Sequence, residues 1–89
     1  MAFRVVDYTD ELVDKVVWAL RECAFAFMDR RYITASQFLF EARGLMEAIL
    51  ILADQSPTAA KHYERRGLSK LYDKVCRYEV EVGRELSRR

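Results

Sequence analysis

Hydrophobic positions recur at threes and fours along nearly the whole chain, the spacing of amphipathic helices. The pattern is cleanest over residues 34–53, where Ala35, Phe38, Ala42, Leu45, Ile49 and Leu52 fall on one helix face. Leu39, Met46 and Ala53 widen that face, while Phe40, Leu50 and Ile51 lie off it. Thr34, with Gln37 three residues on, has the spacing of a capping box, so this helix is expected to start there. Ile33 and Phe38 are placed for the accompanying hydrophobic staple. From Ala48 onward the helix is apolar all round, as in helices buried from several sides. The second helix is therefore expected to form the centre of the domain, with apolar surface left over for a partner.

The same reasoning sets out the rest of the chain. Residues 1–6 form a short apolar lead, either an extended arm or a first helical turn. Thr9 reads as an N-cap, with Asp10 and Glu11 favourable against the helix dipole. A first helix then runs to about Asp29 on the stripe Val13, Val16, Leu20, Cys23 and Phe27, with Leu12, Val17 and Ala24 alongside and Trp18 and Phe25 off it. Residues 29–33 turn the chain with no glycine to mark the helix end, and so short a connection makes the two helices antiparallel neighbours. Ser56 before Pro57 is a helix start, because proline's missing N–H costs nothing in the first turn. That segment reaches Arg66 and Gly67, where Leu68 is placed to close onto Tyr63 in a Schellman ending. Ser69 is placed to cap a fresh helix from Lys70 to about Ser87; one helix running through Gly67 would lose about 1 kcal/mol relative to alanine. The expected fold is a single all-α domain, an antiparallel bundle of three main helices with the third broken or kinked near Gly67.

Composition sharpens this picture in one respect. At 89 residues the chain is near the lower limit for a self-sufficient core, yet 52% of it is hydrophobic. Phe40, Leu50 and Ile51, with Trp18 and Phe25, exceed what one inward stripe per helix requires. Two explanations stand side by side: the segment Pro57–Arg66 and the N-terminal lead cover the surplus within the domain, or a bound partner or a second copy covers it.

Charge adds less. The formal net charge is +1, which gives no global case for nucleic acid or a membrane. Residues 61–89 nevertheless hold nine Lys/Arg against five Asp/Glu. Arg66, Lys70, Lys74, Arg77, Arg84 and Arg88 recur down the last helix as a basic stripe that could meet phosphates or an acidic protein. Glu81 interrupts it, and Asp73 and Glu85, spaced to pair with Arg77 and Arg89, dilute it, so a solvated, charge-balanced face is expected. The longest apolar run, Ala48–Ala53, is far below the ~20 residues of a membrane span.

Candidate chemistry is sparse. Cys23 and Cys76 form no CxxC and sit among apolar neighbours, as reduced thiols of a cytoplasmic protein do; the alternative, a disulfide between them, depends on their distance in the fold. The single histidine, His62, has no second ligand at metal-binding spacing, and no phosphate loop, nucleophile elbow or Glu-x-x-His pair is present. The chain is read as non-enzymatic, with no metal or cofactor.

Two segments resemble the flagellin export chaperone family, small cytosolic helical bundles that hold a secreted subunit's disordered tail in apolar grooves. Tyr32-x-x-Ala35, followed by Leu39, Ala42, Ile49 and Asp54, is similar to that family's second helix. Leu68-Ser-Lys-Leu-Tyr72-Asp73 resembles the Leu-x-x-Leu-Tyr start of a later helix, and together the two cover about half the chain. The resemblance implies a groove lined by Phe38, Phe40, Leu45, Ile49 and Leu50, with Leu71 and Tyr72 opposite; the apolar surplus adds Ile51. The chain departs from the family in a first helix about one turn shorter. The Tyr-x-x-Ala turn also occurs in tetratricopeptide repeats, in microtubule-trafficking three-helix bundles and in nucleotide-binding bundles of toxin–antitoxin pairs, whose Arg-x4–6-His motif is absent here. The expected function is non-catalytic binding of another protein, as in a chaperone or adaptor. The alternatives are a structural homodimeric subunit burying the same surface and, third, a nucleic-acid accessory protein using the last helix.

Overall fold

The computed structural model describes residues 5–88, with side chains from Asp10 onward. Among the described residues the chain is all-α, with four helices: α1 (Val5–Met28), α2 (Tyr32–Gln55), α3 (Pro57–Arg65) and α4 (Leu68–Ser87). α1 and α2 form an antiparallel hairpin. α3 and α4 follow one another along its open side, giving a rod of 52 × 18 × 17 Å.

Small residues set the hairpin seam. Ala19 and Ala26 of α1 and Ala35 and Ala42 of α2 are all buried, which lets the two backbones approach closely. Beside this seam Val13, Val16, Leu20 and Cys23 meet Leu39, Met46 and Ile49. Ala59 and Tyr63 close the core from α3, and Val75 and Val82 close it from α4. The buried line of α2 is therefore Ala35, Leu39, Ala42, Met46 and Ile49, rotated from the expected one. α4 packs on the Leu39 side, so Phe38, Leu45 and Leu52 become half-buried flanks. The wrapping expected beyond Ala48 is incomplete, since Leu50 and Ile51 are exposed.

Helix starts also differ from expectation. Thr9 lies inside α1, which already runs from Val5; residues 1–4 of the expected apolar lead lie outside the described residues. Thr34 is the third residue of α2 and cannot cap it. The Ala35 N–H donates to the Arg31 carbonyl at 2.9 Å, so the helical ladder already passes over Thr34, and Arg31 occupies the cap position without a side-chain bond. The Ile33–Phe38 staple gives way to an edge-on contact of Phe27 with Tyr32, ring centres 5.3 Å apart, leaving Ile33 in solvent.

The turn that displaces these signals is a Schellman ending built without glycine. Arg31 N–H donates to Ala26 O at 2.8 Å and Arg30 N–H to Phe27 O at 3.0 Å. Arg30 takes the left-handed conformation, with φ 62°, that glycine usually supplies.

α3 and α4 together make a third rod beside α1 and α2, and it follows expectation more closely. The Ser56 side chain accepts a bond from the Ala59 N–H at 3.3 Å, with Pro57 in the first turn. Gly67, at φ 77° and ψ 38°, ends α3 by donating to Glu64 O and starts α4 by accepting from Leu71 N–H. Ser69 is consequently inside α4, not its cap. The expected third main helix is thus two helices.

Candidate functional site

Two polar clusters tie the third rod to the hairpin. On one, His62 Nε2 lies 2.8 Å from Asp10 Oδ1, and Arg66 donates to Asp14 at 2.8 Å while its Nε lies 3.5 Å from Asp10. On the other, the Arg43 guanidinium grips both oxygens of Glu79, with Nε to Oε2 at 2.9 Å. It also lies 3.6 Å from the Cys76 sulfur, with its carbon 5.2 Å from the centre of the Tyr72 ring. The hydrogen bonds to Glu79 first, and then to Tyr72, hold the Arg43 proton more firmly than in an ordinary arginine. Sequence pattern alone offers no signal for this pairing, because residues 36 apart in the chain meet only once the helices have packed.

The eight residues expected to line a partner groove do not form one. Ile49 is fully buried in the core and is unavailable to a partner. Phe38 and Leu45 pack half-buried against the core, Phe38 edge-on to Trp18 of α1 with ring centres 5.6 Å apart. Leu71 faces Val13 and Val17 across a cleft between α1 and α4, whereas Tyr72 is covered by Arg43. Phe40, Ile51 and, less fully, Leu50 face solvent.

Phe40 and Ile51 belong to an outer face of α2 that also takes in Ile33, while Leu50 lies to one side of it. Ile33, Phe40 and Ile51 are 61%, 78% and 58% exposed, and with Gln37, Gly44 and Glu47 they follow one another at alternating spacings of four and three. This line lies opposite the buried one. Ile33 and Gln37 escape notice in the sequence because they match a capping motif. Their spacing to Phe40 and Ile51 is the signal that reveals them once that motif is set aside. Along one flank of the face, Phe40, Leu39, Val82 and Leu86 border a groove of about 210 Å³ between α2 and α4.

The basic stripe is exposed along α4 but partly spent. Arg66 is paired with Asp14 and Asp10, Arg88 lies 3.2 Å from Glu85, and Lys74 sits 5.8 Å from the Tyr78 ring centre. Arg89, the expected partner of Glu85, lies outside the described residues. Arg66, Lys70 and Lys74 border the 250 Å³ cleft over Val13, Val17 and Leu71, while Arg77 and Arg84 stand in solvent.

Both cysteines are free thiols, Cys23 buried and Cys76 half-buried. Burial pushes the Cys23 thiol pKa up, the reverse of an activated nucleophile. Among the described residues no three potential metal ligands converge, and no helix is long and apolar enough to cross a membrane. Set against protein-family models, curated proteins and solved structures, the chain matches none of them.

Proposed function

We propose that this chain is a non-catalytic protein-interaction module that docks a helix on the outer face of α2. The supporting observation is the alignment of exposed Ile33, Phe40 and Ile51 on the side of α2 away from its own core. Fully burying a side chain of this size is worth about 1.5–3 kcal/mol. Three of them in register are therefore a substantial apolar surface that the monomer does not use. Anchors at helical spacing are how an amphipathic helix is read. A chaperone or adaptor is the form this takes if the docked helix belongs to another protein, and a structural homodimer if it belongs to a second copy. The nucleic-acid reading is weaker, because carboxylates already occupy Arg66 and Arg88.

The test is the pair Phe40→Asp and Ile51→Asp. Each should keep wild-type helicity and melt within about 4 °C of it, since exposed substitutions change stability by roughly 0.5 kcal/mol or less. Each should lose association with protein, whether read as self-association of the purified chain or as capture from its own lysate. Unchanged association, or unfolding of both variants, would refute the docking face.

A further inference from the structure

We infer that the helix docked on α2 is α2 of a second copy, antiparallel, with the two-fold axis at the level of Ala42; the inference rests on reading the outer face of α2 as a docking surface. What carries it is the chemistry of the side chains that an antiparallel pairing about one residue brings together. Ile33 and Ile51 are each nine residues from Ala42, Gln37 and Glu47 five, and Phe40 and Gly44 two. In an antiparallel helix pair each core layer joins two such positions, one from each chain, across an isologous interface. Ile33 then packs on the partner's Ile51, and Gln37 can donate from its amide to the partner's Glu47 carboxylate.

The central layers are the most telling. Phe40 is the most exposed large side chain of the face, and it falls opposite Gly44, where a Cβ would meet nothing within 4 Å. A ring that projects from one copy thus meets a gap on the other, twice. The face spans about 27 Å at 1.5 Å per residue, so it is a modest interface and its assembly should be concentration-dependent. The charged flanks are compatible with it: Arg43 is engaged by Glu79, and Glu41 meets its own symmetry mate only at the solvent-exposed rim. Salt should therefore leave the dimer intact or strengthen it, the reverse of a charge-driven association.

Light scattering after gel filtration should show the mass rising with concentration toward twice the 10.5 kDa of one chain. Gly44→Phe fills the gap without touching the monomer's own packing, and it should weaken self-association at least tenfold while keeping or raising the melting temperature at concentrations where both chains are monomeric. In a Cys76→Ser background, chains carrying Ile33→Cys mixed with chains carrying Ile51→Cys should form a mixed disulfide under oxidation, and neither should cross-link to itself. A chain monomeric at every concentration, a Gly44→Phe chain that still dimerises fully, or self-linking of Ile33→Cys would each overturn the inference. A monomer whose capture of another protein still depends on Phe40 would end self-pairing alone. A monomer in which Phe40→Asp alters no association would end the docking reading as well.

Discussion

Replacing Arg30 with glycine should stabilise the chain, and the size of the gain follows from the turn between α1 and α2. Arg30 holds φ 62° to close the Schellman ending, and its side chain is exposed. A residue with a Cβ loses about 1–2 kcal/mol in the left-handed region, where that atom crowds the following carbonyl. Glycine removes the crowding but gives back about 0.5–1 kcal/mol through the greater freedom of its unfolded state. The net gain is about 0.5–1 kcal/mol. For a domain of this size that corresponds to a rise of about 3–6 °C in melting temperature. Thermal and urea unfolding followed by far-ultraviolet circular dichroism would measure it, with Arg30→Ala as the control. Alanine also deletes the guanidinium but keeps the Cβ, so it should show no such gain. If Arg30→Gly melts at or below the wild type, or if alanine gives the same rise, backbone strain is not what the position stores.

Other predictions follow from the core and the polar ties. Ile49→Asp should unfold the chain, because an unpaired carboxylate at a fully buried site costs about 5 kcal/mol or more; folded, soluble Ile49→Asp protein would contradict the placement of that residue. Arg43→Met keeps the apolar stem but leaves Glu79 without its fork, and urea titration should show a loss of about 1–2 kcal/mol, which Arg43→Lys recovers only in part. Stability should also fall at alkaline pH. Burial holds the Cys23 proton above the ordinary thiol value of 9.0, so the unfolded chain releases it first, and stability complete below pH 9 declines as pH rises toward the raised folded value. Tyr78, raised chiefly by burial and next by the neighbouring Cys23, adds to the decline above its ordinary 10.0. Urea midpoints followed from neutral to alkaline pH would show this slope, and Cys23→Ala should flatten its onset.

How far the sequence carried depended on whether a signal was local. The helical spacing, the Ser56–Pro57 start and the break at Gly67 are all written in neighbouring residues, and all three appear in the structure. Thr34 and Gln37 matched a cap just as well, yet the tight turn at Asp29–Arg31 starts α2 at Tyr32 and carries the helix past them. That error concealed Ile33 and Gln37, two of the six positions on the outer face. Periodicity also identified a buried side of α2 without fixing its centre, because whether Phe38 or Leu39 points inward depends on where α4 lies. The grip of Arg43 on Glu79 is likewise a product of packing. Phe40 and Ile51 were legible as surplus because apolar residues outnumbered the inward positions, a count that needs no knowledge of neighbours.

Gly67 has a mechanical consequence. The lever on its N-terminal side is anchored to α1 through His62 and Arg66, and the lever on its C-terminal side is anchored to α2 through Glu79. A single unbroken rod would transmit any tug on its C-terminal end straight into the Tyr63 contact. With the left-handed turn between them, the two levers are held by separate ties, so losing the Glu79 tie leaves the His62 and Arg66 ties of α3 in place.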